Sequence, residues 1–408
     1  MGKILIVDLS IGEIKEERPE ERFYRDFLGG IGIGVRYIYG HQKSGVEPFD
    51  PENIIGFVTG LFNGTIVPFS GKYTVAGKSP LTGTWGDANS GGFFGPELKR
   101  AGYDAVFVKG IPKKPVYLWI KDGKSEIRDA SHLWGKDTIE TDESIKKELG
   151  DARIRIASIG PSGERLSLIS GVINDKWRVA ARSGLGAVMG SKRLKAIAVR
   201  GTEKIPVVDA EKLMELSKQM LEPMKMKPSR LTKLMMTLVK PIMPWMLTWM
   251  LRRGRVAAPD VGYLVESFGK YGTAMGVSAS SEMGDAPCKN WAGVGRRDFP
   301  MKTKSYKISD DYVIKYKVKK DTCEACPVGC GAILRIEGGP YAVEETRKPE
   351  YETLASFGSM TLNDNVESII KANDICNRYG LDTISAGATI AFAMECYEKG
   401  ILTKEDTD

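Results

Sequence analysis

Apolar residues in the first half of the chain come in short runs broken by glycine, proline and acidic residues, a pattern that predicts strands. Lys3–Leu9 is apolar and β-branched, Ser10-Ile-Gly-Glu13 makes a turn, and Ile14-Lys-Glu-Glu17 begins a return strand. Ala105-Val-Phe-Val-Lys-Gly110 and Pro115-Val-Tyr-Leu-Trp-Ile-Lys-Asp-Gly123 read as a pair of strands joined by a proline-containing loop, and Ile154–Ile159 and Leu194–Val199 as further strands. Beyond Val207-Val-Asp-Ala210 the period lengthens. Asp209 is placed to cap a helix starting at Ala210 with Leu213, Met214 and Leu216 on its apolar side. Val366, Ile369, Ile370 and Ile375, then Ala388, Ile390, Ala391, Ala393 and Met394, keep helical spacing. The pattern gives an α+β chain: a β-rich domain of antiparallel sheets over residues 1–205, then a helical domain over 206–408, with no internal repeat.

One stretch stands apart. Leu234–Leu251 is rich in Met and Trp and is followed by Arg252, Arg253 and Arg255. Its uncharged part, Pro241–Leu251, is shorter than the roughly 20 apolar residues a membrane span needs, and Pro241 and Pro244 interrupt any single helix. It reads either as a helical excursion packed on its own core or as a docking surface for a partner subunit or a membrane interface.

Composition narrows the class. With 42% hydrophobic and 27% charged residues the chain is a packed globular protein. A net charge of +7 spread along the chain suits an acidic protein partner and gives no nucleic-acid footprint. The start, Met1-Gly-Lys-Ile-Leu-Ile-Val-Asp-Leu9, lacks the apolar core and cleavage site of a signal peptide, so a cytoplasmic location is expected. Six cysteines are too few for a disulfide scaffold, and three of them fall within Asp321-Thr-Cys-Glu-Ala-Cys-Pro-Val-Gly-Cys330.

The C-x2-C-x3-C spacing of Cys323, Cys326 and Cys330 admits an iron–sulfur cluster, a structural zinc site or free thiols. Iron–sulfur is favoured, because a zinc site wants a fourth Cys or His nearby and the only histidines are His41 and His132. Asp87-Ala-Asn-Ser-Gly-Gly-Phe-Phe-Gly95 is either a plain glycine-rich turn or a backbone cradle for phosphate. Trp177-Arg-Val-Ala-Ala-Arg-Ser-Gly-Leu-Gly-Ala-Val-Met-Gly190 sets Arg178 and Arg182 beside glycines, as an anion site or a turn with solvated arginines. In Arg347-Lys-Pro-Glu-Tyr-Glu352, read as extended, Glu350 and Glu352 share a face and serve either as surface charges or as a general acid or base. Asn377-Arg-Tyr-Gly-Leu-Asp382 reads as a helix end, a glycine cap and an acidic residue.

These five segments in this order resemble the tungsten-containing aldehyde ferredoxin oxidoreductase family. The likeness includes Ser79-Pro-Leu-Thr-Gly83, Ala101-Gly-Tyr-Asp-Ala105, Asp129-Ala-Ser-His-Leu-Trp-Gly135, Ile159-Gly-Pro-Ser-Gly-Glu164, Gly186-Ala-Val-Met-Gly-Ser-Lys192, Lys270-Tyr-Gly-Thr-Ala274 and Gly380-Leu-Asp-Thr-Ile-Ser385. It covers nearly the whole chain except the Met- and Trp-rich stretch. The resemblance implies a tungsten (or molybdenum) bis-pterin, Mg2+ bridging the pterins, and a [4Fe-4S] cluster, with the first half of the chain as the β-rich base beneath the pterins. By resemblance, Asn89 and Gly91 contact pterin and magnesium, Arg178 a pterin phosphate, and Val179 the magnesium through its carbonyl. Asn377, Leu381 and Asp382 form a pterin loop, Lys72 takes the position that bridges pterin and cluster, and Cys323, Cys326 and Cys330 ligate the cluster. Glu352 corresponds to the carboxylate beside the metal. The implied activity is oxidation of an aldehyde to a carboxylic acid, with Glu352 taking a proton or activating water, and electrons leaving through the cluster to ferredoxin or an iron–sulfur subunit. A reductive aryl-CoA member of the benzoyl-CoA reductase type, or a non-catalytic iron–sulfur electron-transfer subunit, is the alternative.

The chain departs from the family at three places. Lys72 replaces an arginine, exchanging a planar fork for a point charge. Lys371-Ala-Asn-Asp374 stands where some members hold an interface iron, so none is expected here. The family's last helical domain, with the fourth cluster cysteine, has no counterpart before Asp408, so the chain reads as a fragment, one half of a split enzyme or a truncated gene product; a second chain is one source of that domain, in a homo- or hetero-oligomer. Cys288, Cys376 and Cys396 lie off the motif and are read as structural.

Overall fold

Strands buried on both faces must be apolar at every position, and the central strands here obey that rule. In β1 (Lys3–Asp8), Leu5 and Val7 face one core while Ile4 faces another. After β2 (Glu13–Glu17), β3 (Ile55–Thr59), β4 (Tyr73–Lys78) and β5 (Trp85–Ser90), the same alternation governs β6 (Tyr103–Lys109), with Val106 and Val108 on one side and Ala105 and Phe107 on the other. The remaining strands of this half are β7 (Val116–Lys121), β8 (Lys124–Asp129), β9 (Arg155–Ser158), β10 (Val172–Asn174), β11 (Arg178–Ala180) and β12 (Leu194–Arg200).

The computed structural model describes residues 2–239, 242–254 and 261–407. Among them the first half forms two six-stranded sheets, ordered β2-β1-β6-β3-β4-β5 and β11-β10-β9-β12-β7-β8. One shared core lies between the sheets, joining Leu5, Ile55 and Val106 to Leu118 and Ile197. Helices α1 (Glu21–Phe27) and α2 (Ile31–His41) cover the outer face of the first sheet through Tyr24, Ile33 and Tyr37. Two further helices, α3 (Phe94–Arg100) and α4 (Thr138–Leu149), follow; α4 covers the second sheet, and Asp137 caps it with Glu140 completing a capping box. Short α5 (Pro161–Glu164) and α6 (Leu185–Ser191) pack together so closely that a Cβ on Gly190 would strike the Gly163 backbone.

The β1–β2 hairpin and the four other strand runs read from the sequence are present. Two details differ. Each sheet contains one parallel pair, β1 with β6 and β7 with β12, because helix-containing crossovers separate those strands in the chain. The β6 and β7 strands do not pair with each other. Each is apolar on both faces and flanked on both sides, β6 by β1 and β3 and β7 by β12 and β8, so the intervening proline loop passes the chain from one sheet to the other.

The chain divides into two compact units. Unit 1 holds Met1–Gln219 together with Cys323–Cys326 and Cys376–Asp382; unit 2 holds the rest. Helix α7 (Ala210–Leu221) begins where expected, with Asp209 accepting from the Lys212 amide (2.8 Å), but Met214 and Leu216 are exposed rather than buried. Unit 2 contains α8 (Arg230–Val239), α9 (Met243–Arg252), α10 (Val261–Tyr271), α11 (Val277–Met283), α12 (Gly295–Asp298) and α13 (Asp310–Ile314). A small antiparallel sheet of β13 (Lys317–Asp321), β14 (Gly331–Ile336) and β15 (Val343–Arg347) follows. Then come α14 (Tyr351–Phe357), α15 (Val366–Tyr379), α16 (Thr383–Glu398) and α17 (Lys404–Thr407). Of the Met- and Trp-rich stretch, Pro241 and Arg255 lie outside the described residues; Pro244 falls in the first turn of α9, where proline is tolerated. Among the described residues no helix is long and apolar enough to cross a membrane.

Lys192, just past α6, has a fully buried side chain that donates to the carbonyls of Asp50 and Pro51, both at 3.3 Å. Burial pushes its ammonium down to about 8, against the pull of Glu52, Asp50 and Asp8. The unfolded chain therefore binds more protons than the folded one between about pH 8 and the free lysine value of 10.5, and this group adds stability as pH rises through that window. Lys192→Met is expected to flatten that rise by about 3 kcal/mol, measured as the difference in urea unfolding free energy between the two ends of the window.

Candidate functional site

The site in unit 1 is built from a strand end and a hairpin. β5 runs into Gly91 and Gly92. Gly92 has φ +112°, and a Cβ there would collide with Asp175 Oδ2 and Arg178 Cδ. The β10–β11 hairpin supplies the clamp. Asn174 Nδ2 donates to Gly91 O (2.9 Å), Ser90 Oγ donates to Asn174 Oδ1 (2.6 Å), and Asp175 Oδ2 accepts from the Phe93 amide (2.8 Å). Arg178 opens β11 and is buried, 4% exposed as a whole residue. Its Nη1 donates to Cys323 Sγ at 2.8 Å, directly over Gly91, where a Cβ would lie 2.8 Å from the same sulfur.

Four residues of the cysteine loop belong to this unit. The Cys326 amide turns back on Cys323 O (3.3 Å), with Ala325 at φ +53° between them. Phe69 N donates to Ala325 O, Glu324 N donates to Gly92 O, and both guanidinium nitrogens of Arg100 clamp the Glu324 carboxylate. Cys323 and Cys326 are thus held half-buried on a short, tethered turn. Of the residues the resemblance assigns to pterin and magnesium, Asn89 is exposed on β5 and accepts from Thr74 Oγ1 (2.7 Å). Lys72 is exposed at the entry to β4, and Val179 is half-buried opposite Ile173.

The 376–382 segment is stitched onto the same unit. Thr138 Oγ1 donates to Asn377 O (2.9 Å), the Gly171 amide to Gly380 O (2.8 Å), and the Asp382 amide to Ile169 O (2.9 Å); Leu381 bridges Ser170. Asn377 and Asp382 are buried, and Asp382 Oδ2 lies 3.7 Å from the largely exposed Arg182. Burial, with the Asp382 charge beside it, pushes the Cys376 thiol up to about 12. Cys288 in unit 2 is likewise buried and pushed up to about 11, so both are inert thiols.

In unit 2, Cys330 enters β14 and Gly272, at φ +64°, packs against its carbonyl. Beside them lies Lys348, fully buried, whose Nζ reaches Glu350 Oε2 (3.4 Å); Thr273 Oγ1 donates to the same oxygen (2.5 Å). Burial would raise the Glu350 carboxyl, but Lys348, Arg347 and the Thr273 hydrogen bond together hold it below the usual range. Glu350 and Glu352 do not share an extended face. Pro349 precedes the N-cap, Glu350 is the cap of α14, and Glu352 sits exposed in its first turn. Glu350 thus stands at the helix start, while Glu352 is exposed.

Six free cysteines are present, and among the described residues no group of three His, Cys, Asp or Glu side chains is placed to hold a single metal ion. A half-exposed pair of thiols on a tethered turn, with a buried guanidinium aimed at one sulfur, fits an anionic multi-iron cluster. Asn174, Asp175, Arg100 and Thr273 are the supporting residues that sequence reasoning missed. The Asn-Asp pair before Arg178 is a local turn signal that could have found the first two.

Residues 4–201 match the family model for the N-terminal domain of aldehyde ferredoxin oxidoreductase, and residues 258–408 match the model for its domains 2 and 3. The chain is 40% identical over 407 residues to the tungsten-containing aldehyde ferredoxin oxidoreductase of Pyrococcus furiosus, covering 99% of this chain and 60% of that protein. It is 29% identical over 424 residues to an aliphatic sulfonate oxidoreductase, WOR-like subunit, of the same organism, with the same coverage. Among solved structures it resembles the active-site complex BamBC of benzoyl coenzyme A reductase in complex with 1,5-dienoyl-CoA, with a TM-score of 0.79 and 32% identity, over 99% of this chain and 57% of that one. The chain thus spans 60% of the length of the curated relatives it matches.

Proposed function

The chain belongs to the aldehyde ferredoxin oxidoreductase family, and from that membership we propose that it carries the pterin base and most of the cluster loop of an oxidoreductase that converts an aldehyde to a carboxylic acid. The observation that carries this is the buried Arg178 guanidinium donating to Cys323 Sγ over the Gly91–Gly92 cradle. When bound, a tungsten or molybdenum bis-pterin supplies a two-electron acceptor, Mg2+ the bridge between the pterins, and a [4Fe-4S] cluster the one-electron exit. Cys323, Cys326 and Cys330 would ligate the cluster. Asn89, Gly91, Val179, Asn377, Leu381 and Asp382 would hold the pterins, with Lys72 at their edge. Oxidation of the aldehyde adds a water oxygen at the carbonyl carbon and releases two electrons and two protons. Glu352, exposed on the first turn of α14, would take one of those protons. Electrons would leave to ferredoxin or an iron–sulfur subunit in the cytoplasm.

Metal analysis tests this reading: about one tungsten or molybdenum per four irons supports it, and iron alone supports an electron-transfer subunit instead. Glu352→Gln is expected to lower aldehyde-dependent dye reduction at least ~100-fold while the metal stays bound; unchanged turnover removes Glu352 from the chemistry. The BamBC likeness favours a second reading, reduction of an aryl-CoA thioester, which turnover of such a thioester in place of an aldehyde would establish.

A further inference from the structure

The segment that the two family models leave between them, residues 202–257, carries an exposed apolar stripe. Leu231, Leu234, Met235 and Leu238 follow one another three or four residues apart along α8, and Trp245 and Trp249 are four apart on α9. All six are between 47 and 70% exposed. α9 is fixed within unit 2 through residues that neighbour the tryptophans on the helix. Thr248 is buried against Met301 Sδ (3.7 Å), and Arg252 donates to Glu282, whose side chain is fully buried, at 2.7 Å. The outward tryptophans are therefore held in place rather than merely unpacked. Each is flanked by a cation, with Lys302 3.8 Å from the Trp245 ring centre and the Arg253 guanidinium 4.5 Å from that of Trp249.

The charge on this segment says what would cover it. Between Glu222 and Asp260 the sequence has eight Lys and Arg and no Asp or Glu, +8, while the whole chain carries +7. The other residues together sum to −1, so the positive charge is not spread along the chain as the overall count indicated. We propose that α8 and α9 dock this protein on an anionic lipid bilayer, lying in the headgroup plane with the Leu, Met and Trp side chains inward and the basic residues against the lipid phosphates. An apolar stripe with interfacial tryptophans and a basic flank is the composition of such helices. Each helix has ten residues, which fixes it on the surface rather than across it. For a protein partner, residues 223–259 offer no acidic residue to pair its own cations. The inference does not depend on the reaction proposed above.

Co-sedimentation of the full chain with vesicles tests it. Vesicles of phosphatidylcholine with about one-third phosphatidylglycerol are expected to bind at least ~10-fold more protein than phosphatidylcholine alone, with a blue shift of tryptophan emission and loss of binding at high salt. Trp245→Ser with Trp249→Ser, both at exposed positions, should lower binding about tenfold with an unchanged circular dichroism spectrum. Equal binding to both vesicles, no binding by the folded chain, or a lipid-free dimer that the double variant dissociates overturns the proposal. The last outcome assigns the stripe to a protein interface.

Discussion

If the proposed cluster is bound at Cys323, Arg178→Met is expected to lower its midpoint potential by roughly 60 to 130 mV. A hydrogen bond to a charged group contributes about 1.5 to 3 kcal/mol, and 1.4 kcal/mol corresponds to about 59 mV for one electron. The direction follows from the geometry. The 2.8 Å contact sets a buried cation against one cysteine sulfur, and added negative charge on the reduced cluster is what that cation stabilises. Arg178→Lys, which keeps the charge and loses the planar fork, should fall between the two. A redox titration followed by electron paramagnetic resonance reads the shift without relying on turnover. An unchanged potential with full iron content would show that the arginine serves only the pterin side.

The second large effect is on stability. Lys195, fully buried at the start of β12, donates to Glu164 Oε1 (2.5 Å) and to Lys136 O (2.8 Å), and the Glu164 side chain is itself only 6% exposed. Lys195→Met fills the space but strands a buried carboxylate, at a cost of about 3 to 5 kcal/mol. For a unit of this size that is a fall of roughly 6 to 20 °C in the thermal midpoint. Adding Glu164→Gln removes the stranded charge while keeping an acceptor for the Gly135 amide, which Glu164 Oε2 now receives at 2.8 Å. The double variant should recover at least half of the loss by calorimetry, and a neutral single variant would show the pair to be dispensable.

Individual strands were legible because burial on both faces leaves an unbroken apolar run, as at β1, β6 and β12. That same property hid the pairing. A strand apolar on two sides carries no mark of which neighbour it takes, and so β6 and β7 read as partners when they sit in different sheets. The cysteine loop was legible from its spacing alone. What holds it was not: Arg100, Phe69, Gly92 and Arg178 contact it from more than 140 residues away, and no local pattern records such contacts. Glu350 and Glu352 were misread as extended because a proline before an acidic pair suits a strand edge as well as a helix N-terminus. The Thr273 hydroxyl, which joins Glu350 at the helix start, is remote in sequence.

The loop 376–382 has a consequence for how the polypeptide is made. Residues of the first unit, Thr138, Ser162 and Gly171, donate hydrogen bonds to carbonyls at 377, 379 and 380. During synthesis these donors emerge some 200 residues before their acceptors, so the first unit reaches its final hydrogen bonding only once residue 382 has left the ribosome. The first 205 residues are therefore a poor module to express or transplant alone: cut there, the chain loses both the cysteine turn and the strap that close it, and Ser162 and Gly171 are left facing water.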